Sequence, residues 1–180
     1  AAKLLVDVLP STSEGLGAIP MAPIALVHLG YHNHQPALPD GFGLLVAPHE
    51  ATHSLGILFP SRLFSDRAPE NGELISAFVG GVGNPGAVEL PDSVLAARVK
   101  NDLLDLFGIS SDPEIIDVIR YKSAIPQLTD GHDLRIDAIQ KGLADAPGLH
   151  LAGNYLKGVG LKDAVNSGLL ASKACMEFVG

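Results

Sequence analysis

The chain has 180 residues, of which 47% are hydrophobic, with a mean hydropathy of +0.27 and a net charge of −8. That length suits one domain with a real core, or two lobes sharing the chain, and no apolar run approaches the ~18 to 20 residues that cross a bilayer. The acidic balance, with basic residues scattered, excludes the basic stripe that nucleic acid demands, and a single cysteine, Cys175, excludes an internal disulfide or a cysteine-built zinc cluster.

The N-terminal stretch "AAKLLVDVLPSTSEGLGAIP" carries one Lys and a short apolar run broken by Asp7 and Pro10, so it does not read as a signal peptide. Four apolar, partly alternating runs follow: "PIALVHLGY" (23–31), "GFGLLVA" (41–47), "HSLGILFP" (53–60) and "ELISAFVGG" (73–81). Turn-forming residues separate them, which predicts a close-spaced antiparallel meander needing cover on one face. The cover is expected from a helix at 92–107, opened by Pro91-Asp92-Ser93, ended by Gly108, and apolar at Val94, Leu95, Val99, Leu103, Leu106 and Phe107. A β-branched strand at 114–121 and an amphipathic helix at 132–146 come next. A buried strand at 148–154, a glycine-rich turn and a last helix at 161–178 complete the chain. The order implies a mixed α+β arrangement whose tail differs in character from the rest. In that last helix Cys175 reads as a small core hydrophobe, and a lone thiol fits a reducing compartment, with the cytosol as default.

One motif competes for the function. "HEATH" (49–53) spells His-Glu-x-x-His, which in zinc hydrolases puts two imidazoles and a general base on one helix face. Pro48 stops a helix from running into it, strand-like runs flank it, and Phe59 stands where a third ligand would be. It reads as a hairpin tip. His32 and His34 in "YHNHQP" share a face only on a strand, and Asn33 and Pro36 favour a polar loop. His28 reads as a hydrogen-bonded residue of an apolar strand, His132 opens a helix, and His150 lies in the buried strand. None has an evident Ser or Cys partner in sequence.

The tail, "GLHLAGNYLKGVGLKDAVNSGLLAS", carries the stronger chemical signal. Strand, glycine turn and helix together present unpaired backbone N–H groups and the positive end of the peptide dipole. Gly158 and Gly160 leave the main chain bare for a flat ring or phosphate, and Gly153 and Asn154 sit at the strand's carboxyl end. An ordinary strand–helix connection would use the same glycines.

This segment resembles the C-terminal flavin-binding motif of protoporphyrinogen and coproporphyrinogen oxidases, within the flavin amine oxidase superfamily. "DGFGLLVAPHEATHSLGILFPSRLFSDRAPENGELISAFVGG" (40–81) is similar to that family's paired strands, "SVLAARVKNDLLDLFGI" to its next helix, and "YKSAIPQLTDGH" to its Ala-Ile-Pro-Gln and Gly-His stretch. The resemblance implies FAD, a porphyrinogen substrate oxidised to the porphyrin in haem biosynthesis, and the cytoplasm or the membrane periphery. It places Gly153 and Asn154 near the FAD phosphates and ribityl chain, and Gly158, Val159 and Gly160 against the isoalloxazine; it implies no catalytic base here. It also implies an antiparallel substrate-domain sheet with covering helices over 1–147, and a strand–turn–helix of a Rossmann-like FAD domain over 148–180.

The family's opening Gly-x-Gly-x-x-Gly turn has no counterpart, because "GGVGNPG" (80–86) runs into Pro85. The chain is therefore expected to be a C-terminal part, to hold FAD weakly or not at all alone, and to self-associate through apolar faces. Membrane association would belong to the other half. The alternatives are a non-catalytic partner-binding domain, or a different member of the superfamily such as an amine oxidase or carotenoid desaturase.

Overall fold

A computed structural model describes residues 1–32 and 36–180; Asn33 and His34 of the "YHNHQP" reading lie outside them. The chain is mixed α+β, as its pattern implies, and its contacts form two compact units: Ala22–Ala124, and Ala1–Met21 together with Ile125–Gly180. By contacts, residues 1–21 and 125–147 group with the C-terminal segment.

In the first unit the strands are β1 (Met21–Tyr31), β2 (Gly43–Leu45), β3 (Ser54–Leu58), β4 (Glu73–Gly80) and β5 (Ile115–Pro126), lying in the order β2-β3-β4-β1-β5. The meander holds only for β2-β3-β4. β1 lies beyond β4 and pairs with it antiparallel over eight residue pairs, from Ile24↔Gly80 to Tyr31↔Glu73. Alternation then sorts the side chains. Ala25, Val27 and Leu29 of β1 share a face with Ile75, Ala77 and Val79 of β4 and with Ile57 of β3, all 0% exposed. The helix α4 (Asp92–Phe107) contributes Leu95, Val99 and Leu103 to the same core. Pro91 starts α4 and Gly108, at φ +70°, ends it in the left-handed conformation that glycine tolerates. Phe59 and Phe107 meet edge to face, 5.6 Å apart.

One member of the buried face of α4 is charged. Asp102, 3% exposed, accepts from the backbone N–H groups of His53 (3.1 Å) and Ser54 (2.7 Å) and from the Ser54 hydroxyl (2.6 Å). The carboxylate's lone pairs are met by three donors, so it stitches the start of β3 to α4. Arg120 does similar work at the other end, donating to the Val88 and Leu90 carbonyls and pairing with Asp92 at 2.6 Å.

The second unit begins with two helices that sequence reading leaves out, α1 (Ala2–Leu5) and α2 (Pro10–Gly17). α2 packs on α5 (His132–Gly142): a Cβ at Gly15 would strike Ile139, and one at Gly142 would strike Thr12. Leu5, Leu9, Leu16, Ile19, Ile136, Ile139 and Leu143 form the core there, with Leu149, Leu151, Tyr155 and Leu156 packed against it. Residues 148–154, expected as a buried strand, are half-exposed or exposed and carry no strand assignment, because no strand among the described residues pairs with them. α6 (Leu161–Val179) closes the chain and buries none of its residues. Cys175, read as a core residue, is accordingly exposed. A short helix α3 (Pro60–Leu63) and two 3-10 turns, Pro85–Glu89 and Leu143–Asp145, complete the elements. Among the described residues no helix is long and apolar enough to cross a membrane.

Candidate functional site

The glycine-rich turn is held at three points. Gly153 donates its N–H to the Ser167 hydroxyl at 2.7 Å, the Leu156 carbonyl lies 3.1 Å from Nε2 of His132, and Gly160 donates its N–H to the Asp163 carboxylate at 3.2 Å. Gly153 adopts φ +152°, and the Tyr155 ring occupies the space a Cβ there would need. Burial pushes the Tyr155 phenol above its ordinary pKa.

The residues expected to meet a cofactor divide into two groups. Gly153, Asn154 and Gly158 are half-buried, whereas Val159 and Gly160 are exposed at the mouth of α6. The bare side of Gly158 is taken: a Cβ there would run into the Asp163 carboxyl group. That carboxylate also uses the Gly160 N–H, one of the donors a helix start leaves open. The outward main chain at 159–160 and the N–H groups of the first turn after it stay accessible. They can meet an electron-rich ring edge, with less positive field than an uncapped helix end would offer. Beside the turn, a groove of about 560 Å³ runs between α5 and α6, lined by Asp137, His150, Lys157, Asp163, Asn166 and Ser167 among others. That size falls in the range of cofactor sites. Nε2 of His150 is buried there without a partner among the described residues.

The sheet offers a second surface. On the face turned away from the α4 core, Leu26 stands opposite Phe78, and His28 opposite Ser76, with Leu58 on the other side of Ser76. Leu26, Leu58 and Phe78 are half-buried. His28 Nδ1 lies 2.7 Å from the Ser76 hydroxyl, a pairing across two strands that linear sequence does not reveal. A cavity of about 130 Å³ adjoins this face, lined by His28, Tyr31, Arg67 and Glu73 among others. That volume is the room of roughly four waters.

The "HEATH" residues lie in the connection between β2 and β3, outside any helix, with His49, Glu50 and His53 all exposed. The one-turn spacing that would bring both imidazoles to a metal is not formed. His32 pairs instead with Glu114 at 2.6 Å.

Comparison with known proteins agrees with this architecture. Residues 3–176 match the family model described as flavin containing amine oxidoreductase. Among curated proteins, the mitochondrial protoporphyrinogen oxidase of Nicotiana tabacum is 32% identical over 161 residues, covering 87% of this chain and 32% of that protein. The coproporphyrinogen III oxidase of Bacillus subtilis (strain 168) is 27% identical over 181 residues, covering 99% of this chain and 38% of its own length. The chain thus spans about a third of the length of the curated relatives it matches. Among solved structures, a protein of Exiguobacterium sp. 255-15 provisionally assigned as a protoporphyrinogen oxidase superposes with a TM-score of 0.79 at 28% identity, over 98% of this chain and 40% of that one. A reduced UDP-galactopyranose mutase gives 0.64 at 14% identity, over 81% and 30%, a likeness of fold alone.

Proposed function

Because the chain belongs to the flavin-containing amine oxidoreductase family, we propose that it is the C-terminal part of a FAD-dependent porphyrinogen oxidase of haem biosynthesis. In this reading the complete enzyme removes hydrogens from protoporphyrinogen or coproporphyrinogen to give the aromatic porphyrin. FAD, when bound, accepts the electrons of that oxidation. The work of this chain is to hold and to wall. Gly153 and Asn154 would hold the phosphates and ribityl chain, and the outward main chain at Val159 and Gly160 would line the approach of the isoalloxazine, with Gly158 packed behind it on the Asp163 carboxyl group. Asp163 keeps the turn in shape by taking the Gly160 N–H. The half-buried Leu26, Leu58 and Phe78 would form an apolar wall for the macrocycle, with the His28–Ser76 pair as its polar point.

The observation that carries this reading is the helix α6, apolar at Leu161, Val165, Leu169, Leu170 and Met176 and buried at none of its residues. A helix so composed is built to be covered, and in a flavin oxidoreductase the dinucleotide-binding half is the natural cover. The same exposed helix also favours a second reading, a non-catalytic domain that binds a partner protein through it.

The test compares the 180-residue chain with the gene product that includes its upstream sequence. The longer protein should carry stoichiometric flavin, absorbing near 450 nm as oxidised flavins roughly do, and should oxidise a porphyrinogen. The chain alone should bind flavin weakly or not at all and self-associate. A longer product with no Gly-x-Gly-x-x-Gly turn and no flavin would leave the partner-binding reading standing.

A further inference from the structure

A histidine that the proposed function does not use sits against the glycine turn. His132 opens α5 and is 6% exposed. Its backbone N–H donates to the Thr129 carbonyl at 2.9 Å, and α5 beneath it is fixed by Ile136 and Ile139 in the core. The ring is therefore mounted on a rigid support. Its Nε2 lies 3.1 Å from the Leu156 carbonyl, and since a carbonyl only accepts, Nε2 carries the proton and donates. Nδ1 is left buried without a partner among the described residues.

That arrangement is a poor bargain for stability. Burying an unpaired ring nitrogen costs about as much as one carbonyl hydrogen bond returns. What the histidine does supply is a fixed point in the middle of the turn, two residues before Gly158. The other two ties, from Ser167 and Asp163, both come from α6. His132 is mounted on a different helix. We infer that His132 is a positioning residue, tethering the 153–160 turn to α5 so that its main chain is already ordered when a flavin binds. This rests on the reading given under Proposed function. Its physical basis is that a pre-ordered loop spares the ligand the entropy of ordering it.

Three variants separate tether from packing. In Gln the amide Nε2 stands the same number of bonds from Cα as the histidine Nε2, whereas Asn falls short and Phe keeps the ring without a donor. In the chain itself, H132F and H132N should speed hydrogen exchange at the amides of 153–158 about tenfold, roughly the worth of one hydrogen bond. Exchange in α2 and α5 should stay unchanged, and H132Q should restore the turn. Unchanged exchange in the turn, or acceleration spread equally over α2 and α5, would overturn the tether. In the complete flavoprotein, H132F should weaken FAD binding three- to tenfold, with recovery in H132Q. Equal flavin affinity in wild type and H132F overturns the role of His132 alone. A wild-type protein that takes up no flavin overturns the proposed function, and the cofactor role with it.

Discussion

Helices α4 and α6 are written in the same style and live in opposite circumstances. Both are long, amphipathic and begun or ended by Gly or Pro signals. On α4, Leu95, Val99 and Leu103 are at most 1% exposed; on α6, Leu161 is 85% exposed and Leu169 and Leu170 are 65% exposed. Local pattern makes a helix, but only a neighbour makes a core. The sheet unit contains its own neighbour, since β1, β3 and β4 present one continuous face to α4. The C-terminal segment has helical pattern and apolar surface with nothing in its own unit to cover them.

The sharpest way to break that contrast is to truncate one leucine on each helix. Leu95→Ala should cost about 3 kcal/mol, since it empties a fully enclosed site. At concentrations too low for self-association, Leu169→Ala should cost under about 0.5 kcal/mol, as surface changes do. Urea unfolding of the two variants measures both. A large loss for Leu169→Ala would mean that α6 is covered in solution, by a second copy or by another part of the chain. Concentration-dependent unfolding would identify the former.

The same contrast explains what could be read in the sequence. α4 is legible at both ends because Pro91 and Gly108 are local signals, and the periodic leucines between them are too. The "HEATH" stretch is legible as a loop for the same reason, since Pro48 acts on its own neighbours. Sheet order is not local: β1 pairs with a strand about fifty residues away, and no pattern within either run says so. Asp102 was hidden because a carboxylate on a helix reads as solvated until the donors of His53 and Ser54 are seen above it. Helix α2, "PSTSEGLG", has weak intrinsic propensity and forms by burying Thr12, Ser13 and Leu16. Residues 148–154 fail as a strand for want of a partner. At the candidate site, the glycines were legible as a turn leading into a helix. That Asp163 folds back over Gly158 was not, although an acidic residue three places past the helix N-cap is the known cue for such a return.

Two tyrosines extend the comparison to solution chemistry. Tyr31 is 3% exposed in the sheet unit, with its hydroxyl buried and without a partner among the described residues. Burial first, and the Asp112 carboxylate second, push its phenol up to about 12 from an ordinary 10.0. A raised phenol pKa means the folded state holds the proton more tightly than the unfolded one. The resulting stability is fully present below pH 10 and is lost as pH climbs from there through 12. The loss is on the order of 2 kcal/mol. Tyr31→Phe should abolish that share of alkaline sensitivity, and, by removing a buried orphan hydroxyl, should not lower stability near neutrality. Urea midpoints of wild type and variant across the alkaline range measure it. Equal slopes for the two proteins would show that Tyr31 reaches water.

The smallest expected effect tests the mouth of α6 itself. A methyl group at Gly158 would displace the Asp163 carboxyl, so Gly158→Ala should remove the hydrogen bond from the Gly160 N–H as surely as Asp163→Ala does. Each single change should cost α6 about 1 kcal/mol of local stability, the usual worth of an N-terminal cap. Because both act on one interaction, the double variant should cost no more than either alone. Hydrogen exchange over residues 161–166 reads that local stability without requiring the rest of the chain to unfold. Additive losses would mean that Gly158 is needed for backbone freedom and not for room. The bare main chain would then be turned outward, toward whatever ligand the turn receives, and not toward its own helix.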